Sequence, residues 1–82
     1  MRVVVEDDGS SLAEALVAFE RRVLDERPDT VTLADASDAA LAAALAALKL
    51  GVTIEAVPEA REGASDNARL IAQLTPSYTA DA

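Results

Sequence analysis

The chain has no histidine, no cysteine and no tryptophan, and its only aromatic residues are Phe19 and Tyr78. The lack of cysteine excludes disulfides, thiolate nucleophiles and thiolate metal sites. The lack of histidine excludes the usual serine–histidine–acid triad, so serines at predicted helix starts are interpreted as caps. Glycine-rich phosphate loops are also missing from the sequence. Carboxylates are therefore the main groups with which this chain could do chemistry.

Basic residues are scarce as well, with 7 Lys and Arg against 15 Asp and Glu and a formal net charge of −8. Such a surface repels phosphates, so we expect neither nucleic acid nor an anionic membrane as a partner. The acidic surplus favours either a cation or basic partner, or simply a solvated surface that resists aggregation. No stretch approaches the ~20 apolar residues of a membrane span, and the N-terminal apolar run is too short for a signal peptide. We expect a cytoplasmic chain.

What the chain has in abundance is alanine, 19 of its 82 residues. Eighty-two residues make one domain, and we take residues 1–82 as a single α/β domain. Alanine buries little apolar area, so the core is thin and leaves a narrow margin over chain entropy. A second subunit is a common remedy for a small core, and we therefore expect a homodimer or a partner protein.

Strand-like and helix-like segments alternate along the chain. The sequence predicts strands at residues 2–6, 30–34 and 52–57, helices starting near residues 11, 37 and 65, and a short edge strand at 77–79. A polar loop is predicted at 58–65. The order β-α-β-α-β-α-(β) predicts a small Rossmann-like domain of two or three layers, with a parallel sheet of three to four strands.

Local signals support the first two elements. The contiguous valines at positions 3–5 are typical of a strand covered on both faces. Ser11 and Glu14 fit a capping box that starts the first helix. The apolar residues Leu12, Leu16, Phe19 and Val23 recur at helical spacing and predict its buried stripe.

Acidic residues follow the first two predicted strands. Asp7 and Asp8 follow the first strand and Asp35 follows the second. Parallel strands end at one edge of a sheet, so the three carboxylates converge if the two strands are neighbours. Oxygen ligands of this kind suit Mg²⁺ or Ca²⁺, which makes these residues a candidate metal site. The alternative is that they are turn formers and helix caps.

Three further residues are candidates for the edge of a site. Ser37 stands at the start of the second predicted helix, where free N–H groups can bind an anion, although Asp35 and Asp38 would repel one. Glu59 and Arg61 lie in the loop after the third strand, where a solvated loop is the alternative interpretation. No residue is predicted to be catalytic or to bind an organic cofactor.

Several segments resemble a known family when taken together. The motifs in question are RPD at 27–29, ADA at 34–36, LGVTIEAV at 50–57, NARLIAQL at 67–74 and SYTADA at 77–82. In this order they resemble the N-terminal domain of non-hydrolysing UDP-N-acetylglucosamine 2-epimerases. The resemblance covers residues 11–82 and implies part of a Rossmann-like domain.

The same resemblance implies loss of the family's activity. Asp35 matches the aspartate of the family's GDT motif, but the neighbouring glycine and threonine are Ala34 and Ala36 here. Aligned on Gly51, the family's catalytic histidine falls on Ala56, while the glutamate and arginine positions also differ. A second, UDP-binding domain has no room in 82 residues. The resemblance therefore implies a catalytically inactive fragment with an open sheet edge, and such edges invite pairing.

Three functions remain open from the sequence. The first is a catalytically inactive, epimerase-like interaction module, linked by the resemblance to nucleotide-sugar or glycan metabolism. The second is a small acidic-pocket domain that binds a divalent cation and resembles a shortened response-regulator receiver, with Asp7, Asp8 and Asp35 as ligands. The third is a nucleotide-sugar binder without catalysis. We lean towards a protein that is not an enzyme.

Overall fold

The computed structural model describes residues 1–75. Strands and helices alternate in it, and three parallel strands form one sheet in the order β1-β2-β3. The elements are β1 (Arg2–Val5), α1 (Leu12–Glu26), β2 (Thr30–Leu33), α2 (Asp38–Leu50), β3 (Thr53–Ala56), α3 (Pro58–Arg61) and α4 (Asp66–Leu74). The predicted α/β class and parallel sheet are confirmed, and the architecture is compatible with a small Rossmann-like domain.

Two details differ from the sequence-based expectation. Residues 58–65, expected to be a loop, include the single helical turn α3, because Pro58 is suited to the first position of a helix. The predicted edge strand at residues 77–79 lies outside the described residues. The starts predicted for the three longer helices are confirmed, with Ser11, Ser37 and Ser65 as N-caps.

Within residues 1–75, helices cover only one face of the sheet. Val3, Val31 and Leu33 point to the helices and are at most 2 % exposed, whereas Val4 on the opposite face is 58 % exposed. The expectation that both faces of the first strand are covered is therefore wrong. The reason is topological: in the order β1-β2-β3 each crossover steps the same way, so right-handed connections place both helices on the same side.

Helix α2 is the centre of the helical layer. It packs on all three strands, on α1 and on α4. Its consecutive residues Ala42, Ala43 and Ala44 are all 0 % exposed. Consecutive helical residues are about 100° apart, so these three alone show that more than half of the helix circumference is enclosed. Alanine suits this position because its small side chain lets three neighbours approach closely.

Helix α1 packs against α2. The capping box of Ser11 and Glu14 is present, and Phe19 and Val23 are buried as predicted. Leu12 and Leu16, expected in the same stripe, are 39 % and 37 % exposed, so that part of the prediction is wrong. Helix α1 packs mainly on another helix and not on the sheet. The strip of α1 that is buried is therefore narrower than the part of its surface that carries apolar residues.

Candidate functional site

The carboxyl edge of the sheet brings together the loops that follow β1 and β2. The Asp35 carboxylate joins them, because its Oδ2 accepts a hydrogen bond from the Asp7 N–H at 2.9 Å. Its Oδ1 accepts another from the Ser37 N–H at 3.0 Å. The expected proximity of the two loops is confirmed, and Asp35 acts as their bridge.

Asp7 and Asp8 direct their carboxylates into their own loop. Asp7 Oδ1 accepts from the Gly9 N–H at 3.0 Å, and Asp8 Oδ1 accepts from the Ser10 N–H at 2.9 Å. Gly9 has φ of +83°, a left-handed conformation that glycine adopts without steric cost. These contacts are those of turn-forming acids. Within residues 1–75 no three acidic side chains are grouped so that they could hold a metal ion. The Mg²⁺ or Ca²⁺ site at Asp7, Asp8 and Asp35 stays a prediction.

Two of these carboxyl groups have a perturbed pKa. Partial burial alone would raise the pKa of Asp35, but hydrogen bonds from Ser37 and from the Asp7 N–H outweigh it, and the pKa is lowered from its usual 3.8. Hydrogen bonds from the Ser10 backbone and side chain lower the pKa of Asp8 in the same direction. Both groups are therefore held as carboxylates at neutral pH. Neither has the raised pKa that a general acid needs at that pH.

Two of the three other predicted edge residues, Ser37 and Arg61, have structural partners. Ser37 caps α2, with its Oγ accepting from the Ala40 N–H at 3.1 Å. The half-buried Arg61 donates to the Thr75 backbone oxygen at 3.2 Å and so ties α3 to the end of α4. Glu59 is exposed on α3. The structure places Ser37 beside Asp35 and gives Arg61 the role of a helix tether.

Asn67 is a contact residue at this edge that the sequence-based site did not include. Its Nδ2 donates to the Ala36 backbone oxygen at 3.1 Å and to Asp38 Oδ1 at 2.9 Å. It thereby fastens the start of α4 to the loop between β2 and α2. Its position is not marked by any local pattern, because its two partners lie about thirty residues away in the sequence.

A cleft of about 290 Å³ lies beside the predicted acids, between β1 and α1. Its floor includes Val5 and Phe19, and its rim includes Glu6, Asp8 and Arg22. Arg22 is held by an ion pair with Glu26 at 3.1 Å. This volume is at the lower limit for small-molecule sites, which span about 300–1,000 Å³. The lining of the cleft includes two carboxylates, and among the described residues they are not part of a group of three that could hold a metal ion.

A second and larger depression lies between the helices, on the outer surface of the helical layer. We call it the α1–α2 groove. Its volume is about 450 Å³, and its walls are Leu16, Val17 and Glu20 of α1 and Leu45, Ala46, Lys49 and Leu50 of α2. Only Glu20 and Lys49 are charged, one on each wall. This surface was missed in the analysis of the sequence.

A signal for the groove was nevertheless present in the sequence. Val17 and Leu24 do not belong to the predicted stripe of α1, and they are 58 % and 53 % exposed. A helix that packs on one side needs only one apolar stripe, so a second set of large apolar residues indicates a second contact surface. On α2 the corresponding exposed leucine in the groove is Leu50.

Comparison with known proteins identifies no relative of this chain. No protein-family model matches the chain, and searches of curated proteins and of solved structures give no significant match. Within residues 1–75, no helix combines the length and the apolar character needed to cross a lipid bilayer.

The bridging role of Asp35 gives a testable pH dependence. Asp35→Asn weakens the bonds to the Asp7 and Ser37 N–H groups, and we expect the free energy of unfolding at pH 7 to fall by about 1–2 kcal/mol. Because the folded-state pKa lies below 3.8, the carboxylate contributes its full stability above about pH 5 and loses it as the pH falls through the folded-state pKa.

The difference between wild type and Asp35→Asn should therefore shrink when the pH is lowered below about 4. Urea unfolding at a series of pH values measures this, and Asp25→Asn, at an exposed position of α1, is the control. A difference that is the same at pH 3 and pH 7 would contradict the role assigned to the Asp35 carboxylate.

Proposed function

We propose that this chain is a non-catalytic interaction module that binds another protein chain through the α1–α2 groove. The observation that carries the proposal is the exposure of large apolar side chains in its walls, with Val17 at 58 %, Leu50 at 38 % and Leu16 at 37 %. Single exposed apolar residues are ordinary on proteins, but contiguous apolar patches rimmed by charges are typical of interaction sites.

The energetic case rests on the area that a partner would cover. Covering the exposed half of a leucine or valine side chain yields roughly 1 kcal/mol. A groove with four such side chains offers a few kcal/mol before the entropic cost of association, so the binding is specific but modest in strength. Burial of this surface by a partner stabilises an 82-residue chain with an alanine-rich core more than it would stabilise a large domain, because the small chain buries less apolar surface by itself.

The non-catalytic part of the proposal rests on the groups at the carboxyl edge. Asp7, Asp8 and Asp35 each accept hydrogen bonds from backbone N–H groups of their own turns and loops. The chain has neither histidine nor cysteine to serve as base or nucleophile. A link with nucleotide-sugar or glycan metabolism rests on the epimerase-like motifs of residues 11–82 alone.

Site-specific photo-crosslinking tests the proposal in the cells that produce the protein. A photoreactive amino acid replaces Val17 in the groove, and in a separate variant it replaces Val4 on the open face of the sheet. The two valines are a matched pair, since each is 58 % exposed. We expect a discrete crosslinked protein from position 17 and none from position 4. The absence of any such product at position 17, or equal products at both positions, would count against an interaction role of the groove.

A further inference from the structure

We infer that the occupant of the α1–α2 groove is a second copy of this chain, related by a twofold axis that places Glu20 of each copy opposite Lys49 of the other. The inference rests on the proposed function, because it takes the groove to be an interaction surface. It adds the identity of the partner and the contacts that select it.

The charges of the groove are the first argument. Glu20 stands on the α1 wall and Lys49 on the α2 wall, and neither forms an ion pair with any residue in the range 1–75. In a twofold interface the same patch meets itself, so that residue i contacts residue j and residue j contacts residue i. The twofold rotation brings the negative α1 wall of each copy against the positive α2 wall of the other. The interface then contains two Glu20–Lys49 pairs around an apolar centre.

The distribution of the remaining charge is the second argument. A net charge of −8 opposes self-association in general. However, the acids at the carboxyl edge lie near the start of α2, while the groove is formed by its last two turns. The start and the end of this 13-residue helix are about 18 Å apart, roughly twice the screening length at physiological salt. On α2, the groove therefore lies towards the end of the helix that is remote from the acidic edge.

The lining of the groove carries no net charge, because its two charged residues are Glu20 and Lys49. A strongly basic partner would be attracted to the carboxyl edge instead, where Asp7, Asp8 and Asp35 lie. The groove thus fits an apolar partner surface with balanced charge, which the same groove of a second copy supplies.

The size of the patch sets the expected strength. The partly exposed apolar side chains of the groove present a surface on the order of several hundred Å² per copy. This is below the ~800 Å² that each partner buries in a standard interface. We therefore expect a reversible dimer with a dissociation constant on the order of tens of micromolar.

Sedimentation equilibrium of the purified chain over a wide range of concentration provides the test. Glu20→Lys places like charges at both symmetric contacts, and Lys49→Glu does the same with the opposite sign. We expect each single variant to dimerise about tenfold more weakly than wild type. An equimolar mixture of the two variants should associate with nearly wild-type strength, because both contacts of that heterodimer again join opposite charges. Asp25→Lys, with the same charge change on another face of α1, is the control.

A pair of apolar variants tests the location independently of charge. Val17→Ser should weaken the dimer, while Val4→Ser, at an equally exposed valine, should leave it unchanged. Circular dichroism confirms that the variants fold, as expected for exposed positions.

Three results would overturn the inference: a monomeric wild type at hundreds of micromolar, a mixture no stronger than the single variants, or a dimer weakened by Val4→Ser and not by Val17→Ser. Crosslinking from position 17 to a different protein, together with a monomeric wild type, would reject the second copy and retain the interaction module. Loss of all crosslinking at position 17 would reject the module itself.

Discussion

Replacing Ala43 by leucine should lower the free energy of unfolding by about 3 kcal/mol or more. Ala43 is 0 % exposed, and so are both of its neighbours in the sequence. Helix α2 is enclosed by the sheet, α1 and α4, so three added carbon atoms have no free volume to enter. They must displace a neighbouring helix or strand, and close-packed interiors resist such movement.

The matched control is Ala13→Leu at an exposed position of α1. Leucine and alanine have similar helix propensities, so this change should alter stability by less than about 0.5 kcal/mol. Urea unfolding followed by circular dichroism measures both variants. If Ala43→Leu were as stable as Ala13→Leu, the packing described for α2 would be incorrect.

Leu33→Ala should cost about 2–5 kcal/mol. Leu33 lies on the central strand β2, is 0 % exposed, and is among the largest fully buried side chains of the chain. Its removal loses the transfer free energy of the deleted atoms and leaves a cavity. The small alanines above it on α2 cannot fill that cavity by changing rotamer. A chain of this size has a total stability of about 4–12 kcal/mol, so the loss is a large fraction of the whole.

Leu24→Ala is the control for Leu33→Ala, because Leu24 is 53 % exposed on α1. We expect it to cost less than about 1 kcal/mol. Thermal unfolding should show a marked decrease of the midpoint for Leu33→Ala only. Equal decreases for the two leucines would mean that β2 is not at the centre of the core.

Local signals accounted for where the helices begin and end. The predicted starts near residues 11, 37 and 65 depend on a local contact, in which a serine oxygen accepts a hydrogen bond from the N–H group three residues later. Gly51 ends α2, where its φ of +75° suits glycine best. Each of these contacts joins residues close in the sequence, so the sequence displays them directly.

The candidate site was predictable in its position and not in its contacts. The sequence placed Asp35 near Asp7, since both follow strands, and the structure joins them at 2.9 Å. That the carboxylates of Asp7 and Asp8 turn towards Gly9 and Ser10 depends on the path of the loop. The tether of Asn67 depends on the docking of α4 and has no counterpart in any local pattern.

The sequence by itself determined the alternation of strands and helices, and with it the parallel sheet, because periodicity and capping are local properties. Only the tertiary structure decided that α1 and α2 cover the same face of the sheet and that Leu16 and Val17 line a groove together with Glu20 and Lys49. The physical reason is that burial of a side chain depends on which neighbour packs against it. Strand order and helix docking select that neighbour, and neither can be derived from the spacing of residues along a single helix.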